Sequence, residues 1–304
     1  MSRTRMYMQE AQAGDFLGAN MSNIRMVWDN AIDRATLVAS SESGSLVATN
    51  LLSNLKAKVW RATNVNAGVV CTWPKPEPIS CVVAAFNNLT AEATMRAFGY
   101  TFETDLTPAF DTGAVPCAAP PGLGQFLWGS PLGENFYQRG GASLFAYGYG
   151  GYGVVWVPGS HAVRKLEVHF YDLNNPDTYV EVGRLIAGPV WSPTYNFNFG
   201  HSVTYVDSSK SRRTESGDLR GERGPKWRRI EFELANMNAE DRASMLRMIR
   251  YNGMTEPLFV SLFPEDNDTL LEQSYQMWGK FTDSPPLSQS NYDQYVARVA
   301  MEEV

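Results

Sequence analysis

The chain has 304 residues, enough for two domains of ordinary size. At 44% hydrophobic and 19% charged residues its composition is that of a folded rather than a disordered chain. A net charge of −6 lacks the basic footprint that nucleic-acid binding needs, and the three cysteines, Cys71, Cys81 and Cys117, are odd in number and have no CxxC spacing, so neither a disulfide scaffold nor a metal knuckle is expected.

The first 21 residues are polar and Met-rich without a clear period, and are read as an N-terminal arm. They contain no apolar core of a signal peptide, and the longest apolar runs, such as VVAAF, are too short to span a bilayer. The expectation is a soluble protein, made in a reducing cytoplasm, with no membrane insertion and with buried free thiols. From residue 22 to 188 the pattern is strand, turn, strand: VWDNAID, ATLVASSESGSLVATNLL, KVWRAT, VVCTW, ISCVVAAFNN, ATMRAFGYTFETD, VVWVP and VRKLEVHFYD. In the last of these Leu166, Val168 and Phe170 alternate with Lys165, Glu167 and His169, which places the three apolar residues on one face and His169 outward. DLNNPD (172–177) reads as a turn. Twelve per cent aromatics and 42 Gly plus Pro residues (25 and 17) agree with an all-β sandwich or jelly roll.

From 189 to 304 the order is β, β, α, β, β, β. RRIEFEL alternates strictly, with Ile230, Phe232 and Leu234 inward and Arg229, Glu231 and Glu233 outward. A helix is expected over about 239–251. Asn238 is its N-cap with Asp241 three residues on, Met245, Leu246 and Ile249 form its buried face, and Asn252-Gly253 is its stop. PLFVSLF, YQMWGKF and YVARVAMEEV complete the strands.

Several stretches invite a chemical reading. In YGYGGYGVVWV (147–157), Gly148, Gly150 and Gly153 have the G-x-G-x-x-G spacing of a dinucleotide loop. Such a loop must lead into a helix. The residues after Gly153 are β-branched or aromatic and run into Pro158-Gly159, so a cofactor is not expected and the glycines are read as shaping a turn that enters a strand. Tyr147, Tyr149 and Tyr152, with Trp128 and Tyr137, could present an aromatic surface to a sugar or a protein partner; the plainer alternative is that they pack under their own loop. His161, His169 and His201 are too dispersed for a metal motif, and no G-x-S-x-G or Cys–His arrangement suggests a nucleophile. No catalytic, cofactor-binding or metal-ligating residue is therefore assigned. The 210–229 segment interleaves Lys210, Arg212, Arg213, Arg220 and Arg223 with Glu215, Asp218 and Glu222, as a solvated loop or a charged partner contact would.

Two stretches go beyond generic β structure. Ala39-Ser40-Ser41-Glu42, Ala48, Asn50-Leu51-Leu52 and Val59-Trp60-Arg61 resemble the opening of discoidin-like (F5/8 type C-like) jelly-roll domains, in which Leu51, Leu52 and Trp60 would anchor core. Residues 166–200, carrying Asn174-Asn175-Pro176-Asp177 and Gly183-Arg184-Leu185, followed by RRIEFEL, the capped helix, TEPLFVSLFP and the terminal MEEV, resemble virion proteins of long-tailed phages. There a discoidin-like module precedes the ring-forming domain of distal tail or minor tail-tip proteins. The resemblance implies a discoidin-like sandwich over 22–188 and a tail-tip ring domain over 189–304. It implies a non-enzymatic structural role at the virion tail tip, after synthesis in the host bacterium. The partners would be the tail tube, hub and fibres, with self-assembly into a ring, hexameric ahead of trimeric, and Arg212, Arg213, Arg220 and Arg223 as contact charges. The alternative is a carbohydrate-binding protein for host-surface glycans.

Overall fold

The structure, a computed structural model, describes residues 22–90, 92–117, 151–265, 269–292 and 294–304. The fold is mainly β, built of antiparallel sheets in a sandwich-like arrangement, as the short β-branched and aromatic segments predict.

The first sheet contains β2 (Thr36–Ala39), β3 (Trp60–Arg61), β4 (Asn66–Asn87), β5 (Thr94–Tyr100), β6 (Phe110–Asp111), β7 (Val115–Pro116), β8 (Tyr152–Tyr171) and β9 (Glu181–Gly188). Their order is β3-β9-β4-β8-β5-β6, with β2 added to β4 and β7 to β5. Segments that read as separate strands fuse here. VVCTW and ISCVVAAFNN form the 22-residue β4, and VVWVP and VRKLEVHFY form the 20-residue β8. The joints are marked by register shifts rather than breaks. Pro74, Pro76 and Pro78 lack the N–H that the ladder uses, and pairing is irregular between Thr72 and Glu77. Pro158 does not end the strand as expected. Residues 157–160 bulge out opposite Ser80, with Gly159 at φ +77°, and pairing resumes at Ile79–His161.

The second sheet contains β1 (Arg25–Val27), β10 (Ser202–Asp207), β13 (Lys226–Met237), β14 (Leu258–Ser261), β15 (Gln276–Phe281), β16 (Leu287–Asn291) and β17 (Gln294–Glu303). Its order is β1-β14-β15-β17-β13-β10, with β16 on β17. One strand that precedes the first sheet in the chain belongs to the second. Only Arg25–Val27 of the VWDNAID region is a strand, and it pairs with β14 of the second sheet; a 3₁₀ turn follows at Ala31–Arg34, capped by the Asn30 side chain. Alternation explains the switch, because Met26 joins the second sheet's core while Val27 faces the first sheet. The segment expected as a charged loop is a hairpin, β11 (Lys210–Arg213) paired with β12 (Leu219–Glu222).

The long helix α1 (Ala239–Asn252) starts as predicted, with Asn238 Oδ1 accepting from the Asp241 N–H at 2.8 Å, and Gly253 follows it at φ +52°. Its buried face is Met245 and Met248, with Ile249 half-buried; Leu246, expected inside, is exposed. A second helix, α2 (Thr269–Ser274), is too short to carry a helical period in the sequence.

Three apolar clusters hold the described residues together. One fills the sandwich with Trp73, Leu166, Val168, Phe170 and the three expected anchors, Leu51, Leu52 and Trp60, of which Leu52 is only half-buried. Another lies between α1 and the second sheet, around Ile230, Phe232, Leu234, Met245 and Met248, so the RRIEFEL alternation holds. The third joins the sheets face to face, with Val27, Cys81, Val83, Ile186, Phe259 and Trp278. Cys81–Asn87 is consequently buried on both faces, with Val82 and Ala84 in the sandwich core and Cys81, Val83 and Ala85 in the junction. A continuous apolar run rather than an alternating one is the sequence counterpart of such burial.

Candidate functional site

The glycine run ends inside the fold. Trp128, Tyr137, Tyr147 and Tyr149 lie outside the described residues. From Tyr152 onward the chain is the strand β8, so no helix N-terminus succeeds the run to hold a pyrophosphate. Gly153 has a packing reason, since a Cβ there would lie 2.9 Å from the Cys117 Cβ. Tyr152, which could have faced a glycan or partner or packed under its own loop, is fully buried, and its ring packs against Phe86 and Phe259. It is a junction residue and not a surface one.

Around it the two sheets share a buried polar network. The Tyr152 hydroxyl donates to Glu303 Oε1 at 3.1 Å and accepts from the Trp278 N–H at 2.9 Å. Arg228 Nη2 donates to the same Glu303 oxygen at 2.8 Å, with side chains only 1% and 4% exposed, and Lys56 Nζ lies 3.4 Å from Glu303 Oε2. Gln273 closes the ring, accepting from the Tyr152 N–H and donating to the Tyr152 carbonyl. Burial pushes the Glu303 carboxyl up, but the charges of Arg228 and Lys56 outweigh it and hold the group below the ordinary glutamate range. Burial pushes the Tyr152 phenol up and the Lys56 ammonium down. Nearby, the buried Arg184 pairs with Asp33, donates to the Leu51 carbonyl at 3.0 Å and lies over the Trp278 ring. These groups are bound to one another and enclosed, which suits holding two sheets in one arrangement.

The turn DLNNPD also folds inward. Asp172 accepts from the Thr90 hydroxyl and N–H and from Asn175 Nδ2, so this carboxylate organises a loop crossing. The histidines lie apart: His161 where pairing resumes after the β8 bulge, His169 outward beside Glu167 and Tyr171, and His201 among Phe197, Phe263 and Tyr275, where burial lowers its pKa. All three cysteines are buried and free, with thiols pushed up by burial. Among the described residues no three His, Cys, Asp or Glu side chains converge as metal ligands, and no helix is long and apolar enough to cross a membrane.

The β11–β12 hairpin is an exposed polar feature. All eight of its strand residues are exposed. Arg212 stands directly opposite Arg220, and Lys210 opposite Glu222; the turn is held by Thr214, Ser216 and Asp218, with Gly217 at φ +89°. Like charges facing across an antiparallel pair destabilise it, so this ribbon is not arranged for its own stability.

The charged network had one readable sign. Arg228 falls in the inward phase of Ile230, Phe232 and Leu234, where an arginine needs a buried partner. Its partner is 75 residues away, beyond any local pattern.

No protein-family model matches the chain, and no curated protein matches it. Among solved structures it is similar to the chitosan-binding module 1 of a chitosanase/glucanase from Paenibacillus sp. IK-5, at 11% identity over 53% of this chain and 99% of that one, with a TM-score of 0.35. A Streptococcus pneumoniae fucose binding module matches at 9% identity over 53% and 94%, TM-score 0.34, and the lectin domain of lectinolysin, complexed with Lewis B antigen, at 12% over 53% and 97%, TM-score 0.34. The likeness spans about half of this chain, and the fold class rests on its own strand pairing.

Proposed function

We propose that this chain is a non-enzymatic structural protein of a long-tailed phage tail tip. The second sheet with α1 is the ring-forming unit, and the first sheet is a discoidin-like module facing outward. The observation that carries this reading is the β11–β12 hairpin, a backbone-paired arm with its arginines exposed and Arg212 set directly opposite Arg220. An arm of this kind gains its stability from a neighbour with the opposite charge. The order of motifs along 166–304 supports the same assignment, and two sheets locked by a shared core suit a part of a rigid assembly. The tests are particle composition and self-association. The chain is expected in purified virions and in rings at high protein concentration, and Arg212→Glu with Arg220→Glu is expected to abolish ring formation while leaving the fold intact. A strictly monomeric protein absent from virions would remove the reading.

Glycan recognition by the first sheet is a second reading with one observation in its favour. The outward face of β5 and β8 brings together Phe98, Tyr100, His169 and Tyr171, with Arg96, Lys165 and Glu167 between them. Rings flanked by polar tips suit a sugar face. Tyr100→Ala with Tyr171→Ala is expected to abolish binding to a host-surface polysaccharide, and no binding by the unaltered protein removes this reading.

A further inference from the structure

The second sheet has two opposed faces, and each carries an unfilled surface. On one face α1 covers the core, and its outer side is left to solvent. There Leu246, Tyr251 and Met254 are 43%, 56% and 55% exposed, and Arg247 and Arg250 stand beside them. The other face is covered by the first sheet only over β14 and β15, where Phe259 and Trp278 make the junction. Over β13 and β17 it stays open among the described residues. The residues in the outward phase there, Glu231, Glu233, Arg298 and Ala300, floor a groove of about 390 Å³ rimmed by Phe199, Asp283 and Pro286. Phe199 is fully exposed. One oxygen of Glu233 is taken by Arg298 and one of Glu231 by Arg229. With Arg229 on Glu231 and Arg298 on Glu233, three carboxylates meet two arginines, and Asp283 leaves the groove with one net negative charge.

These surfaces complement each other in both kinds of chemistry. One is apolar and cationic, the other apolar and anionic. They lie on opposite sides of one sheet, so they cannot meet within a chain. A contact between them joins different patches on two copies, which is the head-to-tail arrangement that propagates into a ring or a filament. We infer that the outer side of α1, through Leu246, Arg247, Arg250 and Tyr251, docks into the β13–β17 groove of a second copy of this chain. The inference rests on the proposed self-assembly, and adds which surfaces meet and their polarity.

The test uses the full-length protein and two single-face variants, with sedimentation velocity as readout. Arg247→Ala with Arg250→Ala alters only the helix side, and Glu231→Ala with Asp283→Ala only the groove side. All four positions are exposed, and unchanged thermal unfolding checks the fold. Each variant alone is expected to lose self-association by at least tenfold. Mixed together they are expected to form dimers and nothing larger, because each retains one competent face of a different kind. A self-complementary interface would not give that result. Assembly that persists in both variants, or is lost only on changing Arg212 and Arg220 in the hairpin, overturns the inference and leaves the structural reading standing. A chain that stays monomeric at every concentration overturns both.

Discussion

The β4–β8 ribbon and the β11–β12 ribbon follow the same antiparallel pairing rules, yet β4 is buried on both faces from Cys81 to Asn87 while every strand residue of the hairpin is exposed. Backbone pairing is satisfied in both, so it does not decide where a ribbon goes. Side chains do. Val82, Val83, Ala84 and Ala85 need cover on two sides and recruit one core and one junction. Arg212, Arg213 and Arg220 have no carboxylate among the described residues to pair with them under cover, as Glu303 pairs with Arg228, and so stay outside. The contrast assigns the two ribbons different work, the first joining sheets within the chain and the second available to a neighbour.

The largest expected effect comes from the polar edge of the junction. Glu303→Ala leaves Arg228 buried beside Tyr152 without its carboxylate and is expected to cost about 3–5 kcal/mol, measured by urea unfolding. The acid response sharpens it. The Glu303 carboxyl is held below its ordinary value, so its contribution is complete above the unfolded pKa, near 4.5, and fades as pH falls through the lower folded value. Glu303→Gln should therefore flatten the loss of stability below that pH; an unchanged acid slope would show that other carboxylates dominate. Next, Gly153→Ala pushes a methyl group against Cys117 within β8, with an expected cost of roughly 1–3 kcal/mol. A neutral result would mean that the Cys117 segment yields. Asn238→Ala removes the α1 cap and is expected to cost about 1 kcal/mol. Smallest of all, Arg212→Ala with Arg220→Ala should leave stability within about 0.5 kcal/mol while weakening self-association. A large loss of stability there would break the comparison, because the hairpin would then be part of the fold rather than an arm.

Much of the architecture was legible where one face is wet and the other dry. RRIEFEL and VRKLEVHFY show their period of two, and Asn238 with Asp241 and Gly253 bounds the helix. Leu246 misleads because a helix in this domain buries a narrow stripe, and Met245 with Met248 already fills it. The hairpin was hidden because a ribbon exposed on both faces has no hydrophobic period. As for the site, the arginines at 212, 213, 220 and 223 were visible as a charged segment, but their cross-strand register was not. Tyr152 stayed open between surface and packing because the glycine-rich neighbourhood resembles a surface loop, and nothing local says that Phe259 and Trp278 will cover it.

The sequence by itself determined the β class, the alternating faces, the helix and its caps, and the absence of a helix after G-x-G-x-x-G, since these depend on residues within a few positions of one another. Only the tertiary structure decided that β1 would join the second sheet, that the two sheets would share a core, and that Arg228, Glu303 and Tyr152 would meet. Those contacts join residues 75 to 236 positions apart, and each is selected by the surface left uncovered once the local elements have formed.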